Sequence, residues 1–570
     1  MRTTASTIFA VLLCTTSPCD LWAQAPPPPP PPMPMQPRDA AQQKTGTARL
    51  AGRVTSIDTA RPIRRAVVRA SGPELREGKS VSTDADGKWD LRDIPAGRFS
   101  ISVTKGGYVS LSYGQQRPFE AGKQVDVADG QVIEKLDVAL PRGSAITGRV
   151  VDEFGEPVTN ARVAPMRYRY TGGQRRLVNM GIGDTTDDLG QFRLHGLAPG
   201  DYYVSAQPTG FTFVGNSVDR TGYGQTFYPG TLSPGEATKV TLAVGQEAQN
   251  IVIALTPTRV ATLAGTATSS QGKPIPTGMI LVREASGSGM SIFMPGMVRD
   301  GAWSISGVTP GTYTLTLQHI QAMEQIAMTG TTSGINPAES VMEQITVTGD
   351  DMRGIALVTA PGATVRGQIR FEGAPAPSTV PSGSGIQSYP VDDPMPTLFS
   401  GARMKPDWSF EILGLFGRRV LRPTGLPTGW TLKSITVEGT DITDTGMDFR
   451  SGQEVSGLEV VVTQSAAEVS GTVQTTKGTD VSDYVVVVFP PESERWGWQS
   501  RFVRVGRPDQ TGRFVITGLP PATYLAVALE YLEPGEETNP DFLERLKSLG
   551  SSFRLAEGEK KPLTLKLSAQ

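Results

Sequence analysis

Two pairs of aromatic residues have the spacing that a sugar-binding platform requires. Trp496 and Trp498 stand two residues apart, and so do Tyr168 and Tyr170. Because side chains alternate along a strand, residues at i and i+2 share one face, where two rings can form a flat surface. These four residues are therefore our candidate ligand-binding residues. The same pairs could instead cover a core or fill a junction between domains, and that alternative stays open.

Residues for metal or nucleophilic catalysis are scarce, because the chain has only two histidines, His195 and His319. A zinc peptidase site requires a His-x-x-Glu pair and a distant third ligand, with one position left for water. Neither histidine has a glutamate three residues later, and the Gly-x-x-x-x-Gly-Lys-Ser/Thr phosphate loop is absent. We therefore predict no catalytic residue, no metal ligand and no cofactor site, and hence a protein that is not an enzyme.

The aspartates that stand out all fall at turns. Asp86, Asp187, Asp188 and Asp300 each come shortly before a glycine that leads into an aromatic strand. Aspartate initiates such turns by accepting hydrogen bonds from nearby backbone, and glycine permits the conformation that follows. We assign these carboxylates to turn formation rather than to glycoside hydrolysis. A calcium loop beginning at Asp84 lacks the further oxygen ligands that calcium needs.

The overall charge excludes one class of partner. The 570 residues include 54 Lys and Arg against 56 Asp and Glu, which gives a net charge of −2. No global field is present that would gather nucleic acid or anionic lipid. Beyond the N-terminal segment, no stretch approaches the ~18 apolar residues of a membrane-spanning helix. We predict that the protein binds no nucleic acid and that the mature chain has no transmembrane segment.

The N-terminus has the order of a secretory signal. Residues 1–25 begin with a basic residue, continue through an apolar run at 8–13 and end in small residues near Ala23 and Ala25. We therefore predict a signal peptide at 1–25 and an exported protein that is periplasmic, on the outer surface or secreted. Both cysteines of the chain lie inside this segment, so the mature chain would carry no thiol.

A proline-rich linker follows the predicted signal peptide. Seven consecutive prolines, Pro26 to Pro32, open residues 26–47. Such a run adopts extended polyproline II and acts as a stiff spacer of about 3.1 Å per residue. The linker is expected to hold the first folded domain away from whatever precedes it.

One pattern recurs five times after the linker. Each copy opens with a glycine followed two residues later by an apolar residue, and later adds an aromatic strand, a turn and a second strand. The intervals are about a hundred residues, the size of one small domain. The opening glycines are Gly52, Gly148, Gly265, Gly367 and Gly471.

The last copy shows why the pattern predicts a β-sandwich. Phe514 and Ile516 fall on one face of a strand, and Tyr524 and Ala526 fall on one face of the next. The turn between them carries two prolines, which reverse the chain at little entropic cost. A tyrosine after this turn whose hydroxyl returns to backbone would be analogous to the tyrosine corner of Greek-key sandwiches. We therefore assign these tyrosines to the core.

Together these features predict an all-β fold, a tandem array of about five antiparallel Greek-key β-sandwich domains after the signal peptide and linker. Short connections, as at 256–260, predict domains in file with limited swing. One short helix is expected at 540–549, behind an Asn539 cap. The predicted sandwiches are the first at 48–142, the second at 143–257, the third at 258–362, a divergent fourth at 363–466 and the fifth at 467–570.

The recurrent string resembles a known domain family. Residues 148–163 read Gly-x-Val, Gly-x-Pro-Val and Ala-x-Val, and residues 190–202 read Gly-x-Phe and Gly-Leu-x-Pro-Gly-x-Tyr. This order is similar to that of the carboxypeptidase regulatory-like domain. The resemblance extends over nearly all of the chain after Thr47, and the second and fifth copies match best, at residues 148–206 and 471–528. It implies a transthyretin-like or immunoglobulin-like sandwich in an extracytoplasmic bacterial protein, with cell-surface or carbohydrate interactions.

Two functions agree with these features. The first is an exported, non-enzymatic multidomain protein that acts as a binding or scaffold protein of the cell envelope or extracellular space. The alternative is a carbohydrate-binding protein that uses the aromatic pairs as platforms. The expected partners are thus envelope proteins or carbohydrate. Specificity is expected where the copies differ most, in the inserts 167–183 and 492–507 and in the divergent fourth copy.

Overall fold

The computed structural model describes residues 46–208, 221–284, 294–319, 339–391, 401–497 and 499–568. The predicted signal peptide and nearly all of the predicted linker lie outside these ranges. Within them the chain is built almost wholly from β-strands in separate sheets, which confirms the predicted tandem all-β fold. Most strand pairs are antiparallel, as predicted.

The first sandwich packs two sheets over an apolar core that includes Trp89 and Phe99. Its described strands are β1 (Ala48–Ser56), β2 (Val67–Gly72), β3 (Leu75–Ser82), β4 (Lys88–Ile94), β5 (Gly97–Thr104), β6 (Leu111–Ser112), β7 (Gln124–Val127), β8 (Val132–Ile133) and β9 (Val138–Leu140). In one sheet β1 pairs with β4 on one side and with both β8 and β9 on the other. In the other, β2 lies between β3 and β5, and β5 also pairs with β6 and β7.

The second sandwich repeats this plan and adds a long hairpin. Its described strands are β10 (Ser144–Val151), β11 (Ala161–Thr171), β12 (Gln174–Asn179), β13 (Asp184–Thr185), β14 (Gln191–Leu197), β15 (Gly200–Pro208), β16 (Thr221–Tyr223), β17 (Thr226–Phe227), β18 (Val240–Leu242), β19 (Glu247–Ala254) and β20 (Pro257–Arg259). One sheet has the order β14-β10-β19, and the other runs β12-β11-β15-β17. A 3-10 turn covers Pro234–Glu236. The β11–β12 hairpin contains most of the predicted insert 167–183.

The third sandwich forms one continuous sheet. Its described strands are β21 (Ala261–Thr268), β22 (Thr277–Glu284), β23 (Met294–Arg299), β24 (Ala302–Val308), β25 (Gly311–His319), β26 (Glu339–Val347), β27 (Met352–Val358) and β28 (Ala360–Pro361). The order is β27-β21-β24-β23-β22-β25-β26-β28. Trp303, Tyr313 and Leu315 lie in its core.

The fourth sandwich again has two sheets. Its described strands are β29 (Ala363–Glu372), β30 (Gly385–Pro390), β31 (Gly401–Arg403), β32 (Ser409–Leu415), β33 (Gly417–Thr424), β34 (Thr431–Val437), β35 (Thr440–Asp441), β36 (Met447–Phe449) and β37 (Glu454–Thr463). The sheet orders are β32-β29-β37-β34-β35 and β31-β30-β33-β36. Phe371 packs edge-on against both Trp408 and Trp430, so this divergent copy fills its core with aromatic rings.

The fifth sandwich carries a helix over one sheet. Its described strands are β38 (Ala467–Gln474), β39 (Asp480–Val481), β40 (Val485–Phe489), β41 (Arg504–Gly506), β42 (Phe514–Leu519), β43 (Ala522–Leu529), β44 (Ser551–Leu555) and β45 (Lys560–Ser568). Helix α1 spans Pro540–Leu546, within the predicted range, and the Asn539 side chain accepts a hydrogen bond from the Asp541 N–H. Three 3-10 turns cover Ser493–Arg495, Glu536–Thr538 and Lys547–Leu549.

The opening glycine of each copy has one physical cause. In every sandwich the first strand pairs in parallel with the last or next-to-last strand, which differs from a purely antiparallel fold. A Cβ built on Gly148 would lie 1.8 Å from the Ile251 carbonyl oxygen, and on Gly471 it would lie 1.7 Å from that of Leu563. Such distances are far inside van der Waals contact, so only glycine fits. Gly52, Gly265 and Gly367 make the same close approach, at 2.3, 1.8 and 2.5 Å.

The other neighbour of each opening glycine is an aromatic ring. Across the antiparallel ladder the five glycines pair in register with buried aromatic residues, and in the fourth sandwich the Phe410 ring lies 2.6 Å from a Cβ built on Gly367. These partners are Trp89, Phe192, Trp303, Phe410 and Phe514. The glycine and the aromatic strand of the repeated pattern are therefore two halves of one contact.

The recurrent tyrosines hold the turn that precedes them. The Tyr202 hydroxyl donates to the carbonyl of Ala198 at 2.8 Å, and the Tyr524 hydroxyl donates to that of Pro520 at 2.7 Å. Tyr313 makes the equivalent bond to the Thr309 hydroxyl at 2.8 Å. Burial raises the pKa of all three hydroxyls. These contacts bear out the assignment of the tyrosines to core and turn.

Candidate functional site: the contacts of the fifth sandwich

Trp496 does not lie on an exposed platform. The residue is only 2% exposed, and its indole Nε1 donates to the Pro490 carbonyl at 2.8 Å. Its ring packs edge-on against Phe489 in an apolar cluster beneath helix α1. The structure thus contradicts a ligand-binding role for Trp496, because the ring holds the helix to the sheet. Trp498 lies outside the described residues and stays a prediction.

We expect Trp496→Phe to weaken the fifth sandwich. The change removes a buried hydrogen bond and part of the ring volume, which should lower the free energy of unfolding by about 1–2 kcal/mol. Denaturant unfolding followed by circular dichroism measures this loss. Wild-type stability in the variant would contradict the core role, and Tyr108→Phe on the half-buried rim of the first sandwich is the matched control.

The second aromatic pair lies on the β11–β12 hairpin. Tyr168 packs edge-on against Tyr203, with ring centroids 5.2 Å apart, and the Arg175 guanidinium lies 4.3 Å from its centroid. Tyr170 lies against the fifth sandwich, where a Cβ built on Gly535 would be 2.1 Å from the Tyr170 carbonyl oxygen. The structure therefore brings Tyr170 to a junction between domains. A ligand-binding role for either tyrosine stays a prediction.

The hairpin also hydrogen-bonds to the fifth sandwich. The Gly173 N–H donates to the Thr538 hydroxyl at 3.1 Å. Thr538 ends the 3-10 turn that carries Glu536 and Glu537, and burial raises the pKa of both carboxyl groups. The turn that meets the second sandwich thus holds acids in a setting that opposes their ionisation.

This setting predicts a pH-dependent effect of Glu537→Gln. At neutral pH the folded protein loses free energy of unfolding because Glu537 is ionised and partly desolvated. Glutamine carries no charge and avoids this loss, so the variant should unfold at a higher temperature. The difference should shrink as pH falls through the raised pKa of the folded state and vanish below the unfolded value of about 4.3. Thermal melts from pH 8 to pH 3 measure it. An equal gain in the exposed control Glu492→Gln would refute the explanation.

A loop of the first sandwich joins three domains. This docking loop, residues 113–123, places Phe119 beneath two arginines of the second sandwich, with the Arg169 guanidinium 4.5 Å and the Arg167 guanidinium 5.4 Å from its ring centroid. Burial lowers the pKa of Arg169. From the same loop, the Arg117 guanidinium lies 4.4 Å from the ring centroid of Tyr531 in the fifth sandwich. The docking loop thus contacts the second and fifth sandwiches together.

A buried ion pair links the docking loop to the fifth sandwich. The Arg507 side chain is 5% exposed and that of Glu120 is 4% exposed, and Arg507 Nη1 donates to Glu120 Oε1. Arg507 Nη2 donates to the Gly114 carbonyl at 3.2 Å and to Asp483 Oδ1 at 2.9 Å. An arginine buried in this way depends on its partners, because an unpaired charge is costly away from water.

Neighbouring contacts extend the same junction. Gln510 pairs with the backbone of Asp126 in both directions, since its amide donates to the carbonyl at 2.9 Å and accepts from the N–H at 3.1 Å. Lys123 Nζ donates to the Ser482 carbonyl at 2.5 Å and lies 3.5 Å from Asp483 Oδ1. The first and fifth sandwiches therefore touch directly, which corrects the prediction of domains arranged simply in file.

The insert 492–507 of the fifth sandwich also contacts the fourth. Arg501 forms a two-point ion pair with Asp444, at 2.9 and 2.7 Å, and Nη1 donates to the carbonyls of Leu432 and Lys433. Arg422 of the fourth sandwich donates to the Gln499 carbonyl. Bidentate arginine contacts of this kind fix orientation as well as distance.

Both predicted inserts therefore lie at junctions between domains. The docking loop is a third contact region, and it was not predicted from the sequence. The docking loop carries Gln-Gln-Arg-Pro-Phe-Glu between two strands that need no such segment. An arginine and an aromatic residue in a connection that neither strand needs could have indicated a contact region. Its partners in the fifth sandwich are more than 350 positions away in the sequence, so the pattern of one chain could not identify them.

The recurrent aspartates serve turns, as predicted. Asp187 Oδ1 accepts the N–H groups of Leu189 and Gln191, and Asp509 repeats this arrangement in the fifth sandwich. In the first sandwich Asp84 rather than Asp86 has this role. His195 is exposed, and the side chain of His319 lies outside the described part. In the described ranges, no three His, Cys, Asp or Glu side chains are grouped so that they could hold a metal ion.

No helix in the described part of the chain has the length and apolar character to cross a membrane. The longest, α1, covers only Pro540–Leu546.

Comparison with solved structures gives matches to pilins. The minor pilin of Streptococcus agalactiae is 14% identical, with 37% of this chain and 95% of the pilin covered and a TM-score of 0.21. A streptococcal ancillary pilin is 13% identical, with 55% and 98% covered and a TM-score of 0.18. The major pilin subunit of Bacillus cereus is 11% identical, with 55% and 99% covered and a TM-score of 0.13.

Comparison with curated proteins gives no match. The model of the carboxypeptidase regulatory-like domain matches residues 49–141 and residues 145–256, which together are less than half of the chain. The matched segments fall on the first and second sandwiches. The opening glycine, its pairing with an aromatic strand and the parallel pairing of the first strand recur in the other three sandwiches. The resemblance seen in the sequence is thereby confirmed for the first two copies, which match the carboxypeptidase regulatory-like domain, while for the third, fourth and fifth copies it stays a prediction.

Proposed function

We propose that this protein is an exported, non-enzymatic binding or scaffold protein of the cell envelope or extracellular space, in which the fifth sandwich holds the first, second and fourth in a fixed arrangement. The observation that carries the proposal is the buried Arg507–Glu120 pair between the first and fifth sandwiches. The domain boundaries 48–142, 143–257, 258–362, 363–466 and 467–570 are part of this proposal.

The inserts form contacts between domains of the same chain, which supports a scaffold role. Domains on short linkers move relative to one another unless a specific interface holds them. Here the 167–183 hairpin, the 492–507 insert and the docking loop all provide interface contacts within the chain. Those contacts combine buried charge, two-point hydrogen bonds and cation–π pairs, which fix one geometry. A surface displayed by such an array keeps its spacing when a partner binds.

Fractionation and affinity capture test the proposal. We expect the full-length protein in the envelope or medium, with residues 1–25 removed, and we expect envelope proteins to co-purify with the wild type. Arg507→Met should reduce this capture, because the displayed surfaces lose their fixed spacing. The exposed variant Arg92→Met, at 71% side-chain exposure, should not. Full-length protein in the cytosol with Met1 retained would refute the proposal.

Carbohydrate is the alternative partner. The burial of Trp496 removes one of its four candidates, while the half-buried ring of Tyr168 with Arg175 above it is its best described support. A glycan array with wild type, Tyr168→Ala and Trp498→Ala tests it. Binding that falls in either variant would favour this alternative, and the absence of binding by the wild type would remove it.

A further inference from the structure

A groove between the fourth and fifth sandwiches is rich in arginine. The cavity has a volume of about 560 Å³, within the range of small-molecule sites. One wall is the face of β33 that carries Arg418, Val420 and Arg422 in alternation. The opposite wall comes from the 492–507 insert and includes Arg495 and Phe502. Junctions between domains are where such sites are commonly found.

The guanidinium groups of the groove differ in their roles. Arg422 has a side chain only 13% exposed, and its Nη1 donates to the carbonyls of Leu421 and Thr443, so it is held in place at the base. Arg418 and Arg495 are exposed along the groove. The Arg495 guanidinium lies 4.9 Å from the ring centroid of Phe502, which orients it towards the cavity wall. Two exposed cations thus flank one fixed cation.

The carboxylates do not balance this charge. Asp444 binds Arg501 through both oxygens, and its Oδ1 is 3.6 Å from Arg422, so one carboxylate is shared by two guanidinium groups. Glu494, the other acid lining the groove, is exposed. Arg504 of the same insert adds a further cation that acts on Arg422 and is itself affected by Arg501. Within and around the described part of the cavity, five arginines therefore face three acids, since Asp448 pairs in register with Arg418 across the β33–β36 ladder.

The electrostatic environment of Arg422 agrees with this count. Burial lowers the pKa of Arg422 to about 10, Asp444 opposes that shift, and Arg501 and Arg504 add to it. Burial is thus the main cause of the lowered pKa, and the two neighbouring arginines add to the cost of keeping Arg422 charged. An anion in the groove would relieve it.

We propose that this groove is a binding site for an oxyanion, either the carboxylate of an acidic sugar or a phosphate group. Guanidinium groups match both because they donate paired, charge-assisted hydrogen bonds to planar or tetrahedral oxyanions. Arg422 provides the fixed base of the site, and Arg418 and Arg495 provide the exposed donors. The site goes beyond the scaffold role and does not depend on it.

Calorimetric titration of the full mature chain tests the site with three probes: digalacturonate, its uncharged counterpart digalactose, and inorganic phosphate. We expect one or both anions to bind, with an affinity that falls as salt is added, and no binding of the neutral sugar. Binding of digalacturonate alone identifies an acidic sugar, and binding of phosphate alone identifies a phosphate group.

Variants place the binding in the groove. Arg418→Gln and Arg495→Gln should each raise the dissociation constant by about tenfold or more, through loss of a charge-assisted hydrogen bond. Arg353→Gln, at 76% side-chain exposure on the third sandwich, is the matched control and should bind as the wild type. Thermal melts confirm that each variant is folded. Failure of the wild type to bind either anion, equal binding of digalactose, or undiminished binding by both groove variants would overturn the proposal.

Discussion

Arg507→Met is expected to detach the fifth sandwich from the first and to lower the free energy of unfolding by about 3–5 kcal/mol. The substitution keeps an unbranched apolar stem but removes the guanidinium group and its bonds to Glu120, Gly114 and Asp483. Glu120 would then be a buried carboxylate without its cation. Denaturant unfolding of the full mature chain measures the loss.

A second substitution separates charge burial from lost packing. Glu120→Gln combined with Arg507→Met removes the stranded carboxylate, so the double variant should recover part of the stability that Arg507→Met alone loses. Arg92→Met, which breaks only an exposed pair with Asp90, should change stability by less than about 1 kcal/mol. If Arg507→Met unfolds at the same denaturant concentration as Arg92→Met, the junction does not hold the domains together.

Gly471→Ala is expected to lower the free energy of unfolding of the fifth sandwich by about 3 kcal/mol or more, which exceeds the usual cost of overpacking a core. The added methyl group would lie 1.7 Å from the Leu563 carbonyl oxygen, so the first and last strands would have to separate. That separation breaks the parallel β38–β45 ladder, whose hydrogen bonds then go unmade. Equilibrium unfolding measures the effect.

Gly497→Ala is the matched control for this substitution. A Cβ at Gly497 meets no atom within 4 Å, and its backbone is not in the left-handed region. Stability should therefore stay within about 0.5 kcal/mol of the wild type. Similar losses in the two alanine variants would refute the explanation of the repeated glycine.

The strands and turns of the sandwiches could be predicted because they depend on residues only a few positions apart in the sequence. Alternating apolar residues, the turn prolines and the recurrent tyrosines each act over a few positions, and the structure places them as expected. The reason for the opening glycine could not be predicted. It depends on a carbonyl group 84 to 103 residues later in the chain, and no short-range spacing indicates which residues pair over such a distance.

The error at Trp496 has a different cause. The i, i+2 rule that predicted a shared face applies to strands, but β40 ends at Phe489 and residues Ser493–Arg495 form a 3-10 turn. In that turn the indole points inward to Pro490 and Phe489. A tryptophan just after a turn, near a predicted apolar helix, is a better signal for core packing than for a platform.

The prediction of domains in file failed for a related reason. Short linkers limit the swing between neighbours, but they do not forbid a bend at each connection. The contacts that bring the fifth sandwich to the first join residues at least 359 positions apart. They combine ordinary arginine, lysine and acidic residues that are indistinguishable from surface residues in sequence.

Zero-length crosslinking tests the contact of the first and fifth sandwiches most directly. A carbodiimide joins an amine to a carboxylate only when the two touch, and Lys123 Nζ lies 3.5 Å from Asp483 Oδ1. Two other pairs serve as internal controls: Lys239–Asp201 within the second sandwich, at 2.8 Å, and Lys433–Glu557 between the fourth and fifth, at 2.7 Å.

After digestion and mass spectrometry of the mature chain, we expect crosslinked peptides for all three pairs. We expect Arg507→Met to lose the Lys123–Asp483 crosslink selectively and to retain Lys239–Asp201. Recovery of both control crosslinks from the wild type without any Lys123–Asp483 product would contradict a fifth sandwich held against the first.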